Sequence, residues 1–105
     1  MKASDNILQR IKYIILQRYP TAKIFLYGSR ARGTDKSDSD WDLLILLDKD
    51  IISSEDEQNI TSPLYDLEFE IGEVISPMVY SSKEWESKYK ITSFYSNVMR
   101  EGRLL

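Results

Sequence analysis

The stretch Lys23-Ile24-Phe25-Leu26-Tyr27-Gly28-Ser29-Arg30-Ala31-Arg32-Gly33, followed after a polar hexapeptide by Asp40-Trp41-Asp42-Leu43-Leu44-Ile45-Leu46-Leu47, decides how this chain is read. Its first five residues are an aromatic and aliphatic run closed by a glycine, the pattern of a strand. Gly28 to Gly33 fits a short helical turn that stops at a glycine. Thr34 to Ser39 is polar and reads as loop. Leu43 to Leu47 shows no alternation of apolar and polar positions. A short continuous apolar run of that kind predicts a central strand covered on both faces, with Asp40 and Asp42 opening it.

Working outward, Ile7, Leu8, Ile11, Ile14 and Ile15 recur on one face of a helix expected over about Asp5 to Arg18. Ser4 or Asp5 can cap its start, and Pro20 ends it by excluding the helical region for Tyr19. Downstream, Ser54 and Glu57 fit a capping box. Ile60, Leu64, Leu67 and Ile71 keep helical phase up to Gly72. Pro63 interrupts this run and leaves two readings open: a kinked helix, or a second helix that starts there. Val74 to Tyr80 reads as a strand, which Pro77 confines to an edge or a bulge. Ser81 and Glu84 offer a further capping box. Ile91, Phe94, Tyr95 and Val98 predict a C-terminal helix stopped by Gly102. The order of elements gives an α/β fold: a small mixed sheet of three to four strands packed with helices, in a single domain over residues 1–105.

Composition narrows the chemistry. The chain has 105 residues, 42% hydrophobic and 30% charged, as expected of a globular domain. It contains no cysteine and no histidine. Disulfides, thiolate zinc sites and imidazole acid–base chemistry are therefore excluded. Catalysis must use carboxylates, hydroxyls, basic side chains or a hard metal ion. No apolar run has the ~20 residues that a membrane-spanning helix needs, and the polar N-terminus argues against a secretory signal, so a cytoplasmic setting is expected. The net charge of −3 argues against direct nucleic acid binding, which draws on clustered positive charge. Nine of the 17 acids fall between Asp35 and Glu57. An ordinary solvated face is one reading of that cluster, and a cation site is the other.

The spacing favours a cation site at one point. Asp40 and Asp42 are two apart on a strand, so their carboxylates project side by side and repel. A divalent cation offsets that repulsion, and Mg2+ takes one or two carboxylates together with waters and phosphate oxygens. Upstream, with ten residues between Ser29 and Asp40, Gly28 and Ser29 supply the complementary half: close backbone approach, amide donors at a helical turn and a hydroxyl. Arg30 and Arg32 add guanidinium groups suited to phosphate. Taken singly, a Gly-Ser after a strand is usually a turn, an Asp-x-Asp is usually an exposed strand start, and the arginines are surface residues paired with acids. Their conjunction in this order reads as a Mg2+–nucleoside triphosphate site.

Gly28-Ser29-Arg30-Ala31-Arg32-Gly33 with Ser37-Asp38-Ser39-Asp40-Trp41-Asp42-Leu43-Leu44-Ile45 resembles the signature of the polymerase-β nucleotidyltransferase superfamily, and most closely that of its minimal prokaryotic members. The resemblance implies that Gly28, Ser29, Arg30 and Arg32 bind the nucleotide. It implies that Asp40 and Asp42 are catalytic and hold Mg2+. It further implies transfer of a nucleoside monophosphate, AMP from ATP, to a hydroxyl acceptor with release of pyrophosphate. Minimal members often pair with a small all-helical HEPN protein, so a partner chain in a toxin–antitoxin pair is expected to bring the acceptor. One departure stands out. The family places a third carboxylate on the strand after the long helix, and here Ser76 occupies that place. Glu73 is the nearest substitute, while Glu68 and Glu70 fall on the helix, on a face expected to be solvated. Three readings therefore stand: an active transferase, a nucleotide- or partner-binding module of weak or no activity, and a plain α/β domain with solvated acids.

Overall fold

A computed structural model describes residues 3–36 and 39–105. The chain runs α1 (Ala3–Arg18), β1 (Lys23–Tyr27), α2 (Ser29–Arg32), β2 (Trp41–Leu47), α3 (Ser54–Ile71), β3 (Ile75–Ser81), α4 (Ser82–Ser87), α5 (Ser93–Glu101) and β4 (Arg103–Leu104). Ser37 and Asp38 of the motif, and the side chains of Ser4 and Asp5 to which the sequence ascribes a cap, lie outside the described residues. The four strands form one mixed sheet in the order β3-β2-β1-β4. β1 pairs antiparallel with β2 and with β4, and β3 pairs parallel with β2 through the α3 crossover.

β2 is central, and its run Leu43–Leu47 is apolar because both of its faces are covered. Trp41, Leu43, Ile45 and Leu47 belong to a core with Leu8, Ile11 and Ile15 of α1 and Ile60, Leu64 and Leu67 of α3. Leu44 and Leu46 point to the other face, against Trp85 of α4 and Val98 of α5. Full burial of a leucine side chain contributes about 1.5–3 kcal/mol, so this run anchors both layers. The second layer is aromatic. Trp85 lies among Tyr80, Tyr89, Phe94 and Tyr95, with ring centroids 5.0–6.3 Å away.

Several boundaries differ from the sequence reading. α1 begins at Ala3, before Asp5. α3 passes unbroken through Pro63, which settles the open alternative in favour of one helix. Its capping box sits one residue earlier than Ser54 and Glu57. Ser53 Oγ accepts from the Asp56 N–H at 3.0 Å, and Asp56 Oδ2 accepts from the Ser53 N–H at 3.1 Å. The shift has a physical cause. Buried Asp56 also receives Lys49 Nζ at 2.7 and 2.8 Å and the Tyr19 hydroxyl at 2.9 Å, partners that exposed Glu57 lacks. Together with the Ser53 N–H, chiefly Lys49 holds the Asp56 carboxyl well below the usual carboxylate range. Ile91 lies outside α5 and is 93% exposed, because Thr92 caps that helix by accepting from the Tyr95 N–H at 3.1 Å. Strand β4 has only two residues and no periodicity from which to foresee it.

β3 is an edge strand, as Pro77 requires. The Trp41 N–H donates to Val74 O at 2.9 Å, so the backbone groups of Ile75 and alternate residues turn away from β2. Pro77 therefore falls on the outward side, where no ladder donor is missed. The outward Ile75 N–H donates to Glu68 Oε1 at 2.9 Å.

Ser53→Ala should destabilise the chain by about 1 kcal/mol, whereas Ser54→Ala should leave stability nearly unchanged. Urea denaturation of the two variants distinguishes a cap at Ser53 from one at Ser54.

Candidate active site

Asp42 lies on the α4/α5 face of the sheet, since it shares parity with Leu44 and Leu46. The register places Tyr27 of β1 beside it on one side and Ser76 of β3 on the other. Asp40 is exposed and just precedes β2, rather than opening it. It is nonetheless close enough to act on its neighbour. Partial burial first, then the charge of Asp40, raises the Asp42 carboxyl above its ordinary value, and Arg32 partly opposes this.

Gly28 joins β1 to α2 at φ 76° and ψ −160°, a backbone region essentially confined to glycine. A β-carbon there would lie 3.2 Å from Asp42 Cγ and closer still to Oδ2. The Asp42 carboxylate thus packs directly on the α-carbon of Gly28. α2 then begins at Ser29 and ends at Gly33 in the left-handed conformation, as the motif predicts. The amides of Ser29 and Arg30 open the helix and have no intrahelical acceptor. Amides, serine hydroxyl and the Asp40–Asp42 pair therefore converge on one end of the sheet.

The two arginines separate. The Arg32 side chain is 45% exposed and holds Glu101 of α5 by a single contact, Nη1 to Oε2 at 3.1 Å. It remains within electrostatic reach of Asp42 and suits an anion at the site. Arg30 was expected beside it as a phosphate ligand, but its side chain is only 8% exposed. Its Nε and Nη2 both donate to Ser39 O, at 3.0 and 2.7 Å, and Nη2 also donates to Glu73 Oε1 at 2.9 Å. Nη1 reaches Asp35, and the guanidinium lies 3.9 Å from the centroid of the Trp41 ring. Glu73 shares these contacts. Its Oε1 receives Arg30 and the Trp41 indole N–H, which ties this carboxylate to the loop before β2. Glu68 and Glu70 do lie on α3, but both are engaged, with the Ile75 N–H and with Arg10 respectively.

Among the described residues no group of three or more acidic side chains could hold a metal. The donor set is two carboxylates, which fits a hard cation whose remaining ligands come from substrate and water. Position 76, opposite Asp42, is a serine. The spacing argument missed two neighbours. Tyr27 faces Asp42, and burial followed by the Asp42 and Tyr80 charges pushes its hydroxyl up to about 12, so it stays neutral. Its position as the last residue of β1, paired across the hairpin, could have revealed it. Glu101 is brought to Arg32 only by the packing of α5, and no local signal marks it. A cleft of about 390 Å3 lined by Gln17, Arg18, Asn59, Pro63 and Asp66 lies between α1 and α3, across the sheet from Asp42, and contains none of the site residues.

The nucleotidyltransferase domain family matches residues 8–104, from α1 to β4. The chain belongs to that family. As a minimal nucleotidyltransferase it is 36% identical over 83 residues to a candidate protein adenylyltransferase of Methanocaldococcus jannaschii, covering 79% of this chain and 76% of that protein. Among solved structures it is similar to a toxin–antitoxin complex with AMP-PNP, with a TM-score of 0.59, 17% identity and coverage of 91% of this chain and 70% of that one. A mutant of the toxin–antitoxin pair MntA-HpeT matches with a TM-score of 0.56 and 17% identity, over 100% of this chain and 72% of that one. Both likenesses establish the nucleotidyltransferase fold. No helix among the described residues is long and apolar enough to cross a membrane.

Two outcomes test the Gly28–Asp42 packing. Gly28→Ala should lower stability by roughly 1–3 kcal/mol, measured by urea denaturation. Asp42→Asn should raise the melting temperature at pH 7. The folded-state pKa of Asp42 is raised, so its charge opposes folding above that pKa. The advantage of Asn should therefore vanish as pH falls below about 4, where the carboxyl is neutral in both states.

Proposed function

We propose that this nucleotidyltransferase moves AMP from ATP to a hydroxyl acceptor carried by a partner protein. The observation that carries the proposal is the seating of the Asp42 carboxylate on Gly28, which sets an acidic pair against the donor-rich start of α2. Family membership and the adenylyltransferase relative support the reaction class. The toxin–antitoxin assemblies of the structural neighbours support a partner chain, for which the motif resemblance favours an all-helical HEPN protein.

In this reading the Ser29 hydroxyl and the amides of Ser29 and Arg30 bind phosphate oxygens, and Arg32 turns its remaining donors towards them. Asp40 and Asp42 would hold Mg2+, which when bound supplies neutralising charge to the triphosphate. The acceptor oxygen forms a bond to the α-phosphorus, the bond to pyrophosphate breaks, and the acceptor proton passes to solvent water. Ser76 is the side chain opposite Asp42 on β3 and is no base at neutral pH. Slow transfer follows. That same serine favours a second reading, a binding module that holds nucleotide or partner with little turnover.

Calorimetric titration with ATP should show tighter binding in Mg2+ than in EDTA, and Asp40→Asn and Asp42→Asn should abolish that dependence. Equal affinity in EDTA and in Mg2+ would overturn the assignment. Ser29→Ala should weaken binding by about 1.5–3 kcal/mol, the worth of a hydrogen bond to a charged group. An unchanged affinity would reduce Gly28-Ser29 to a turn.

Ser76→Asp should raise transfer to the partner by on the order of 10²-fold, a general-base contribution. Rapid transfer by the unmodified chain, indifferent to this substitution, would show that β3 contributes nothing to the chemistry.

A further inference from the structure

Arg30 combines features that surface arginines lack. It is charged, its side chain is almost fully buried, and every guanidinium nitrogen is engaged. Nε and Nη2 close as a fork on a single carbonyl, Ser39 O, and the guanidinium carbon lies over the Trp41 ring, 3.9 Å from its centroid. Ser39 and Trp41 are the two covalent neighbours of Asp40. One side chain therefore grips the backbone on one side of Asp40 and the indole on the other. Glu73 completes the grip by accepting from both Arg30 and the Trp41 N–H.

Asp40 needs such a grip. It is exposed and precedes the first ladder bond of β2, the one from the Trp41 N–H to Val74 O. The sheet does not fix it, and a second carboxylate, Asp42, stands two residues away. We propose that Arg30 is a positioning residue: through Ser39 and Trp41 it holds Asp40 beside Asp42, and so sets the divalent-cation affinity of the site. This rests on the reading of Asp40 and Asp42 as metal ligands. It assigns the Arg30 side chain no contact with phosphate, since its guanidinium donors already have acceptors. Lysine keeps the charge but can form neither the fork nor the planar stack.

The test uses Arg30→Lys and Glu73→Gln in the full chain. Mn2+ binding is titrated by electron paramagnetic resonance in the presence of a non-hydrolysable ATP analogue, and analogue affinity is measured separately in EDTA. Backbone amide exchange at Ser39 and Asp40 is followed without ligand. Arg30→Lys should weaken Mn2+ binding by about tenfold, within the range for residues that orient metal ligands. Analogue affinity in EDTA should change by less than about twofold, because no phosphate contact is lost. Amide exchange at Ser39 and Asp40 should accelerate. Glu73→Gln keeps an acceptor oxygen and should shift the metal affinity in the same direction by less. If Arg30→Lys fails to fold, Glu73→Gln decides alone, and an unchanged Mn2+ affinity overturns the proposal. Weaker analogue binding in EDTA with unchanged Mn2+ affinity also overturns it, by making Arg30 a phosphate ligand. Faster exchange with unchanged Mn2+ affinity overturns it by making the grip purely structural. A wild-type chain that binds no Mn2+ overturns both this proposal and the reading beneath it. A failure of the grip itself is recognised separately, from amide exchange that does not change.

Discussion

A carboxylate resting on a glycine α-carbon organises the functional end of this molecule. Gly28 adopts a backbone conformation denied to other residues, and the space where its side chain would begin is filled by Asp42. That contact brings the end of β1, the start of α2 and the start of β2 within a few ångströms of one another. Partial burial and the neighbouring Asp40 then raise the Asp42 carboxyl above its usual value. The site thus holds charge at a cost to the fold, the pattern found where binding energy is held in reserve. The stability that offsets it comes from the same strand, whose next five residues are buried in two cores at once.

The charge distribution follows from that arrangement. Acidic groups that surround the motif in the sequence take three different roles. Asp56 is a buried cap braced by Lys49 and Tyr19, far from any chemistry. Asp35 and Glu73 are counter-ions of Arg30. Asp40 and Asp42 sit at the open end of the sheet with no arginine hydrogen-bonded to either among the described residues, although Arg32 lies within reach. Acid clusters in a sequence therefore conceal a division of labour that only the partners reveal.

Much of this was legible in the residues. The unbroken run Leu43 to Leu47 announced a strand with two buried faces, and Pro77 announced an edge. Glycines at 28 and 33 marked the bounds of a one-turn helix. The spacing of Ser29, Asp40 and Asp42 pointed to the end of the sheet where they meet. What escaped was set by tertiary competition. Ser53 displaced Ser54 as a cap because Asp56, not Glu57, had partners across the fold. Arg30 and Glu73 suit phosphate and metal by type, and the pair they form across 43 positions leaves no local signal. Glu101 and β4 depend on where α5 docks, and two-residue pairings leave no periodic trace.

The outer rim of β3 has a consequence for the behaviour of many copies in one solution. Residues 75, 77, 79 and 81 turn their backbone groups away from the sheet. The first of these amides is occupied by Glu68, and the second position is a proline with none to offer. A strand from another chain arriving at this rim would find half of the outward amide donors absent, in consecutive outward positions. Exposed edges otherwise invite stacking of sheet upon sheet into aggregates, and interruptions of this kind are how natural sheets resist it. The domain can leave a seven-residue strand bare at its border without inviting its own kind to extend it.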